Sequence, residues 1–147
     1  MSTQSGSGIG SRRESRETAL GLLYAAEARD ADPEELLSIQ LVAPDNYSSS
    51  LIKGVAEHRE DIDALITRYS DGWNTDRMPA VDRALIRIAV FELKHLLEVP
   101  TTAILSEAVE LASSYSTERS SRFVNGVLSK IAEELRPSQE SRSGAGD

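Results

Sequence analysis

The segment between Pro79 and Pro100 constrains the fold of this chain more than any other. Its apolar residues recur at a helical period and mark two faces, one with Val81, Leu85, Ile88 and Phe91 and the other with Ile86, Val90, Leu93 and Leu97. A helix that is apolar on two sides has to be packed from two sides. We therefore predict that this segment is the central helix of the fold. A buried strand over 84–91 is the alternative, but the proline start and the length of the segment favour a helix.

Helical periodicity also runs through the rest of the interior. Apolar residues spaced by three and four positions predict further helices over 12–29, 33–39, 48–69, 104–115 and 123–135. Asp32 precedes Pro33 as a typical N-cap followed by proline at the first helical position. A gap in the apolar pattern at His58 and Arg59 predicts either a bend or two abutting helices.

The dipeptide Asn125-Gly126 is a strong hairpin signal in general. Its flanks keep a helical period here, so we place it inside the last helix. A glycine in a helix interior costs about 1 kcal/mol relative to alanine. We expect close approach of another helix backbone at Gly126 to compensate for that cost.

Ser/Gly-rich ends flank the helical interior. Residues 1–10 and 137–147 contain very few apolar side chains and are predicted to be disordered tails, which leaves one all-helical domain over 11–136. The first residues lack the basic start and apolar core of a secretion signal, and no apolar run is long enough to cross a bilayer. The absence of cysteine excludes disulfides and thiolate metal sites and fits a reducing compartment. We therefore expect a cytoplasmic protein with no membrane segment.

The sequence lacks the patterns that carry common enzyme chemistry. Its two histidines, His58 and His95, sit in no recognisable motif, and both fit helix surfaces. No glycine-rich phosphate loop, dinucleotide fingerprint or zinc-binding helix can be identified. We expect no catalytic residue, no metal and no cofactor.

The formal net charge of −8 repels nucleic acid on average, so any such binding needs a local basic patch. One candidate cluster is formed by Arg12, Arg13 and Arg16, which share one side of the start of the first helix. Because a helix N-terminus is already electropositive, arginines there are typical of an anion site. A solvated helix start screened by acidic neighbours is the alternative.

A second cluster opens the last helix. Arg119 and Arg122 lie there beside Phe123 and several hydroxyl side chains. Phosphate clamps next to a stacking ring are typical of a site for single-stranded RNA. The alternative is that Phe123 belongs to the core, because it also lies on the apolar stripe.

Five sequence blocks occur in a specific order and spacing. They are Arg-Glu-x-Ala-Leu-x-Leu-Leu-Tyr at 16–24, Val-Asp-Arg-Ala-Leu-Ile-Arg-Ile-Ala-Val-Phe-Glu-Leu at 81–93, Val-Pro at 99–100, Glu-Ala-Val-Glu-Leu-Ala at 107–112 and Phe-Val-Asn-Gly-Val-Leu at 123–128. Together they resemble the bacterial NusB family of transcription antitermination factors, from about Arg12 to Leu135. The residues at 71–73 and 79–83 are most similar to members from high-GC Gram-positive bacteria.

The resemblance implies an all-α fold of about seven helices in two small bundles around a central helix, without enzyme activity. It implies a protein that pairs with the ribosomal protein NusE, binds boxA RNA of ribosomal RNA leaders and joins the antitermination complex on RNA polymerase. By motif position, the RNA-binding residues would be Arg12, Arg13, Arg16, Arg119, Arg122 and Phe123. The residues that bind NusE would be Tyr24 and Asp82.

Some features leave alternatives open. Glu14 interrupts an arginine-rich start that is often denser in the family, and Arg119 occupies a position that is commonly acidic in relatives. Relatives include monomers and homodimers, so a homodimer that covers the RNA surface stays open. The NusB-like module of an rRNA cytosine methyltransferase and a purely structural helical scaffold are the competing interpretations. A glycine-rich cofactor loop, which the enzyme would need, does not occur in this sequence.

Overall fold

The computed structural model describes residues 9–71 and 73–137. Within these residues the chain forms seven α-helices and one 3-10 helix, and no strand. The α-helices are α1 (Ile9–Ala28), α2 (Pro33–Ser38), α3 (Asn46–Glu57), α4 (Arg59–Tyr69), α5 (Ala80–His95), α6 (Thr101–Tyr115) and α7 (Glu118–Leu135), and the 3-10 helix spans Thr75–Arg77. The predicted all-α fold of seven helices is confirmed. None of the described helices combines the length and apolar composition that crossing a bilayer requires.

The helical domain begins slightly earlier than predicted, because α1 begins at Ile9 and the predicted domain start is residue 11. The rest of the first predicted tail, 1–8, and residues 138–147 of the second lie outside the described residues.

α5 is the central helix that the two-sided apolar pattern predicted. It packs against α1, α3, α4, α6 and α7. Both of its predicted faces are buried, as shown by Leu85, Ile88 and Phe91 on one and Ile86, Val90 and Leu93 on the other. The prediction was wrong for Leu97, which is 70% exposed because α5 ends at His95.

The other helices form two small bundles that share α5. In the first bundle α1, α2 and α3 contact one another. In the second, α6 packs along α7, and α4 contacts α7. This arrangement confirms the two bundles that the family resemblance implied.

Local polar contacts define several helix ends. Asp32 is the N-cap of α2 as predicted and accepts a hydrogen bond from the Glu34 backbone N–H at 3.1 Å. Thr117 caps α7 by accepting one from the Ser120 N–H at 3.0 Å. His58 lies between α3 and α4 with a non-helical ψ of 22°, so the gap in the apolar pattern marks two abutting helices.

Arg136 fixes the end of α5. Its guanidinium donates hydrogen bonds of 2.6–3.1 Å to the carbonyl oxygens of Glu92, Leu93, Leu96 and Val99 and to the Thr101 hydroxyl. Carbonyl groups at a helix C-terminus have no intrahelical partners and are electronegative. The side chain of Arg136, the C-cap residue of α7, therefore caps the central helix and holds the α5–α6 connection.

The close helix approach expected at Gly126 occurs at Gly54 instead. A Cβ atom built on Gly126 would meet nothing within 4 Å, and the residue is exposed. A Cβ atom on Gly54 would lie only 2.2 Å from the Phe91 ring, where α3 packs on α5. The expectation for Gly126 was wrong because its position on α7 faces outward.

We predict opposite effects of alanine at these two glycines. Gly54→Ala should destabilise the fold by about 1–3 kcal/mol, because its methyl group displaces the buried Phe91 ring. Gly126→Ala should stabilise it by about 1 kcal/mol, because alanine favours an exposed helix. Urea denaturation of both variants measures the two changes. An unchanged midpoint for Gly54→Ala would show that the α3–α5 contact is looser than described.

Candidate nucleic-acid interface

Arg16 is buried within the first predicted cluster. Its side chain is 4% exposed, and its Nε and Nη2 atoms donate hydrogen bonds of 2.7–3.1 Å to the carboxylate of Glu92, which is 1% exposed. The Oε1 atom of Glu107, on α6, lies 3.8 Å from the Nη1 atom of Arg16. Burial opposes the charge of Arg16, but the hydrogen bonds and field of Glu92 outweigh it, so the pKa of Arg16 is raised. The structure thus places Arg16 inside the protein, where a phosphate group does not reach it.

Two more side chains join this ion pair to α3 and to the protein surface. The Tyr47 hydroxyl donates a 2.5 Å hydrogen bond to Glu92. Burial and the negative charge of Glu92 raise the pKa of Tyr47. The guanidinium carbon of Arg12 lies 5.2 Å from the centre of the Tyr47 ring, a cation–π contact. Arg12 is half-buried, and its Nε atom has no hydrogen-bond partner among the described residues.

Arg13 is more exposed but is already paired. It donates to both carboxylate oxygens of Glu107, at 2.8 and 3.1 Å, and to Glu110. The two hydrogen-bonded carboxylates raise the pKa of Arg13. An RNA phosphate would compete with α6 for the same donor atoms.

Arg119 and Arg122 differ from the first cluster. Both side chains are exposed in the first turns of α7. Within residues 9–71 and 73–137, neither arginine lies within ion-pair distance of a carboxylate. Their charges are therefore available to an external anion.

Phe123 fits both interpretations that the sequence left open. It is half-buried and packs against the core. Its ring also contacts Trp73, with 5.7 Å between ring centres and 42° between ring planes. Sequence reasoning did not place Trp73 beside Phe123, although a lone tryptophan away from any apolar helical stripe was a usable signal.

The two predicted arginine clusters lie on helices that α6 connects. Arg13 of α1 pairs with Glu107 and Glu110 of α6, and the Tyr115 hydroxyl at the end of α6 donates to Glu17 of α1 at 3.1 Å. α7 begins three residues after Tyr115. The end of α6 therefore lies against the first half of α1, and α7 begins just after it.

Tyr24 and Asp82, the predicted partner-binding residues, have different surroundings. Tyr24 is 47% exposed and lines a cavity of about 250 Å³ between α1 and the start of α5. Charged side chains of both signs also line this cavity, namely Glu27, Asp30, Asp32, Arg59 and Arg87. Asp82 is 2% exposed, is absent from that lining, and its Oδ1 atom has no hydrogen-bond partner among the described residues.

Asp82 does not act as a helix cap. The N-cap of α5 is Pro79, and no side-chain capping hydrogen bond is formed there. Asp82 lies in the first turn, where a carboxylate interacts favourably with the helix dipole. Its Oδ1 atom is enclosed by the protein, so a donor on another molecule reaches it only after the start of α5 rearranges.

Comparison with known proteins identifies related chains. A sequence model described as the NusB family matches residues 13–133. The transcription antitermination protein NusB of Salinispora arenicola is 45% identical over 129 residues, covering 83% of this chain and 95% of that protein. The NusB protein of Kineococcus radiotolerans is 41% identical, covering 85% and 95%.

Two solved structures share the fold. A structure of NusB from T. maritima superposes with a TM-score of 0.77 at 34% identity, covering 89% of this chain and 96% of that one. A crystal structure of antitermination factors NusB and NusE in complex with dsRNA gives a TM-score of 0.72 at 28% identity, covering 84% and 96%.

The buried ion pair generates a test by double substitution. Arg16→Met should destabilise the fold by about 3–5 kcal/mol, because it leaves the Glu92 carboxylate buried without its partner. Adding Glu92→Leu should recover most of that loss, because both charges are then removed. Urea denaturation gives the free energy of unfolding for each variant.

Arg77→Met is the matched control. Arg77 is exposed in the 3-10 helix, so the substitution should change stability by less than about 0.5 kcal/mol. If Arg16→Met cost no more than this control, the Arg16–Glu92 pair would not hold α1 on α5.

Proposed function

The chain belongs to the NusB family, and we propose that it is a transcription antitermination factor that acts by binding RNA and a protein partner, without catalysis. Its ligand is boxA RNA of ribosomal RNA leaders, its partner is the ribosomal protein NusE, and the assembly joins RNA polymerase in the cytoplasm. The named relatives and the neighbouring NusB–NusE–dsRNA structure support this assignment. The named relatives are antitermination proteins, which favours this function over a methyltransferase module.

The observation that carries the proposal is the pair of exposed arginines at the start of α7, neither of which lies within ion-pair distance of a carboxylate among the described residues. In a chain of net charge −8, Arg119 and Arg122 provide a local positive surface at a helix N-terminus, which is itself electropositive. Phe123 adds an aromatic ring beside them.

The first arginine cluster has divided roles in this proposal. Arg16 is a positioning residue, because its buried contact with Glu92 holds α1 in place. Arg12 and Arg13 lie one turn earlier, nearer the surface, and are the phosphate-binding members. Glu107 and Glu110 compete with phosphate for Arg13, so both carboxylates lower RNA affinity.

The partner surface is assigned to Tyr24 and Asp82. The cavity beside Tyr24 offers a partner charges of both signs, because three carboxylates and two arginines line it. The Asp82 carboxylate is buried in the first turn of α5, so it becomes an acceptor for NusE only when the start of that helix opens on binding. A homodimer remains a separate proposal, which sedimentation of the free protein tests.

We predict that RNA affinity responds to three charges. Arg119→Ala and Arg122→Ala should each weaken binding of boxA RNA about tenfold, because each removes a charged hydrogen bond to phosphate. Each should also reduce the slope of log affinity against log salt by about 0.7. Glu110→Gln should strengthen binding, because it leaves Glu107 as the one carboxylate that competes with phosphate for Arg13 among the described residues. Fluorescence anisotropy of labelled RNA, with NusE absent and present, measures all three.

Glu133→Gln is the matched control for the acidic substitution. Glu133 is exposed near the end of α7 and pairs with no arginine among the described residues. Glu133→Gln changes the net charge by the same amount as Glu110→Gln. Equal gains from both variants would show that only net charge matters. Unchanged affinity in both α7 arginine variants would contradict the RNA surface.

A different substitution tests the partner surface. Asp82→Asn should weaken NusE binding by about 1–3 kcal/mol, because a partner donor loses a charged acceptor. Asp76→Asn, at an exposed acid in the preceding 3-10 helix, should leave it unchanged. Calorimetry with NusE measures both, and thermal unfolding confirms that both variants fold. NusE affinity that is unaffected by Asp82→Asn would remove Asp82 from this surface.

A further inference from the structure

Trp73 presents an exposed aromatic face beside the arginines of α7. It is the single tryptophan of the chain and is 51% exposed. One part of its ring contacts Phe123, which itself packs against the core. The Trp73–Phe123 pair therefore forms an aromatic surface that begins in the core and ends in solvent.

The backbone of Trp73 is held in place although its ring is exposed. Its N–H donates to the carbonyl oxygen of Ser70 at 3.1 Å, and the Ser70 hydroxyl donates to the Trp73 carbonyl oxygen. Ser70 is 3% exposed, so these contacts are shielded from water. A ring on a fixed backbone loses little conformational freedom when a ligand binds.

Charge near Trp73 is distributed unevenly. Arg119 and Phe123 are four positions apart on α7 and therefore lie on one face, so Arg119 and the aromatic pair are neighbours. The segment around Trp73 carries Asp71 and Asp76 against one arginine, Arg77. This segment offers a ring rather than positive charge, whereas α7 offers the positive charge.

We propose that Trp73 is a base-stacking residue for single-stranded RNA, with Phe123 supporting its ring and Arg119 and Arg122 holding the adjacent phosphates. The inference rests on the proposed function and adds a residue to its RNA surface. A base inside a duplex is already stacked on its neighbours, so this surface takes an unpaired base. Every base has a flat aromatic face, so Trp73 contributes affinity with little preference for base type.

Because the chain has one tryptophan, its fluorescence reports this position alone. Unlabelled single-stranded boxA RNA should quench Trp73 emission, with the same dissociation constant that anisotropy gives. The same RNA annealed to its complement should quench it much less. NusE alone should leave the emission unchanged.

Substitution gives the second measurement. Trp73→Leu should weaken binding of single-stranded RNA about tenfold, the size of effect that one stacked base produces. Trp73→Phe keeps a ring and should restore most of the affinity. Leu97→Ala is the control, because Leu97 is also an exposed apolar residue but lies beside the last turn of α7. Circular dichroism confirms that each variant is folded.

The outcomes separate this inference from the function on which it rests. RNA binding by anisotropy with unchanged Trp73 emission and unchanged Trp73→Leu affinity would overturn the stacking role and leave the proposed function intact. Quenching by NusE, together with weaker NusE binding by Trp73→Leu, would assign the ring to the protein partner and overturn it as well. Absence of RNA binding with NusE present would remove both proposals.

Discussion

The buried contact between Arg16 and Glu92 determines how the two bundles meet. A buried ion pair is tolerated only when the remaining polar atoms also find partners, because both charges lose their hydration. Here Tyr47 donates to the same carboxylate, and Glu107 approaches the same guanidinium. Four helices, α1, α3, α5 and α6, therefore meet at one polar cluster inside an otherwise apolar core. That cluster fixes the orientation of α1, and with it the place where Arg13 reaches the surface.

Most arginines of this acidic chain serve its own structure. Arg83 donates to carbonyl oxygens of Thr75 and Met78 and pairs with Glu27, and Arg87 pairs with Asp63 at 2.8 and 2.9 Å. The proposed RNA surface depends on arginines that are left over. Arg119 and Arg122 are two of these, because neither lies within ion-pair distance of a carboxylate in the described part of the chain. Surface charge thus depends on internal pairing as well as on composition.

The helices were predictable because their signals are local. Apolar spacing located α5, and the Asp32-Pro33 pair located the start of α2. The burial of Arg16 was not predictable from the residues alone, since its partner lies 76 positions away. Gly126 and Gly54 show the same limit, because only the packing of α3 on α5 reveals which glycine faces a neighbour.

The candidate site was predictable in part, for related reasons. Motif position located the start of α7, where two unpaired arginines and a half-buried phenylalanine occur. It did not reveal that Arg13 is occupied by α6 carboxylates, which is a tertiary contact.

The hydrogen bonds of Arg136 carry a consequence for synthesis on the ribosome. Domains generally fold as units. The carbonyl oxygen of Leu96 accepts its hydrogen bond from a side chain that lies 40 positions later in the chain. The carbonyl groups at the end of the central helix therefore lack these hydrogen bonds until Arg136 has been synthesised, which happens late in translation.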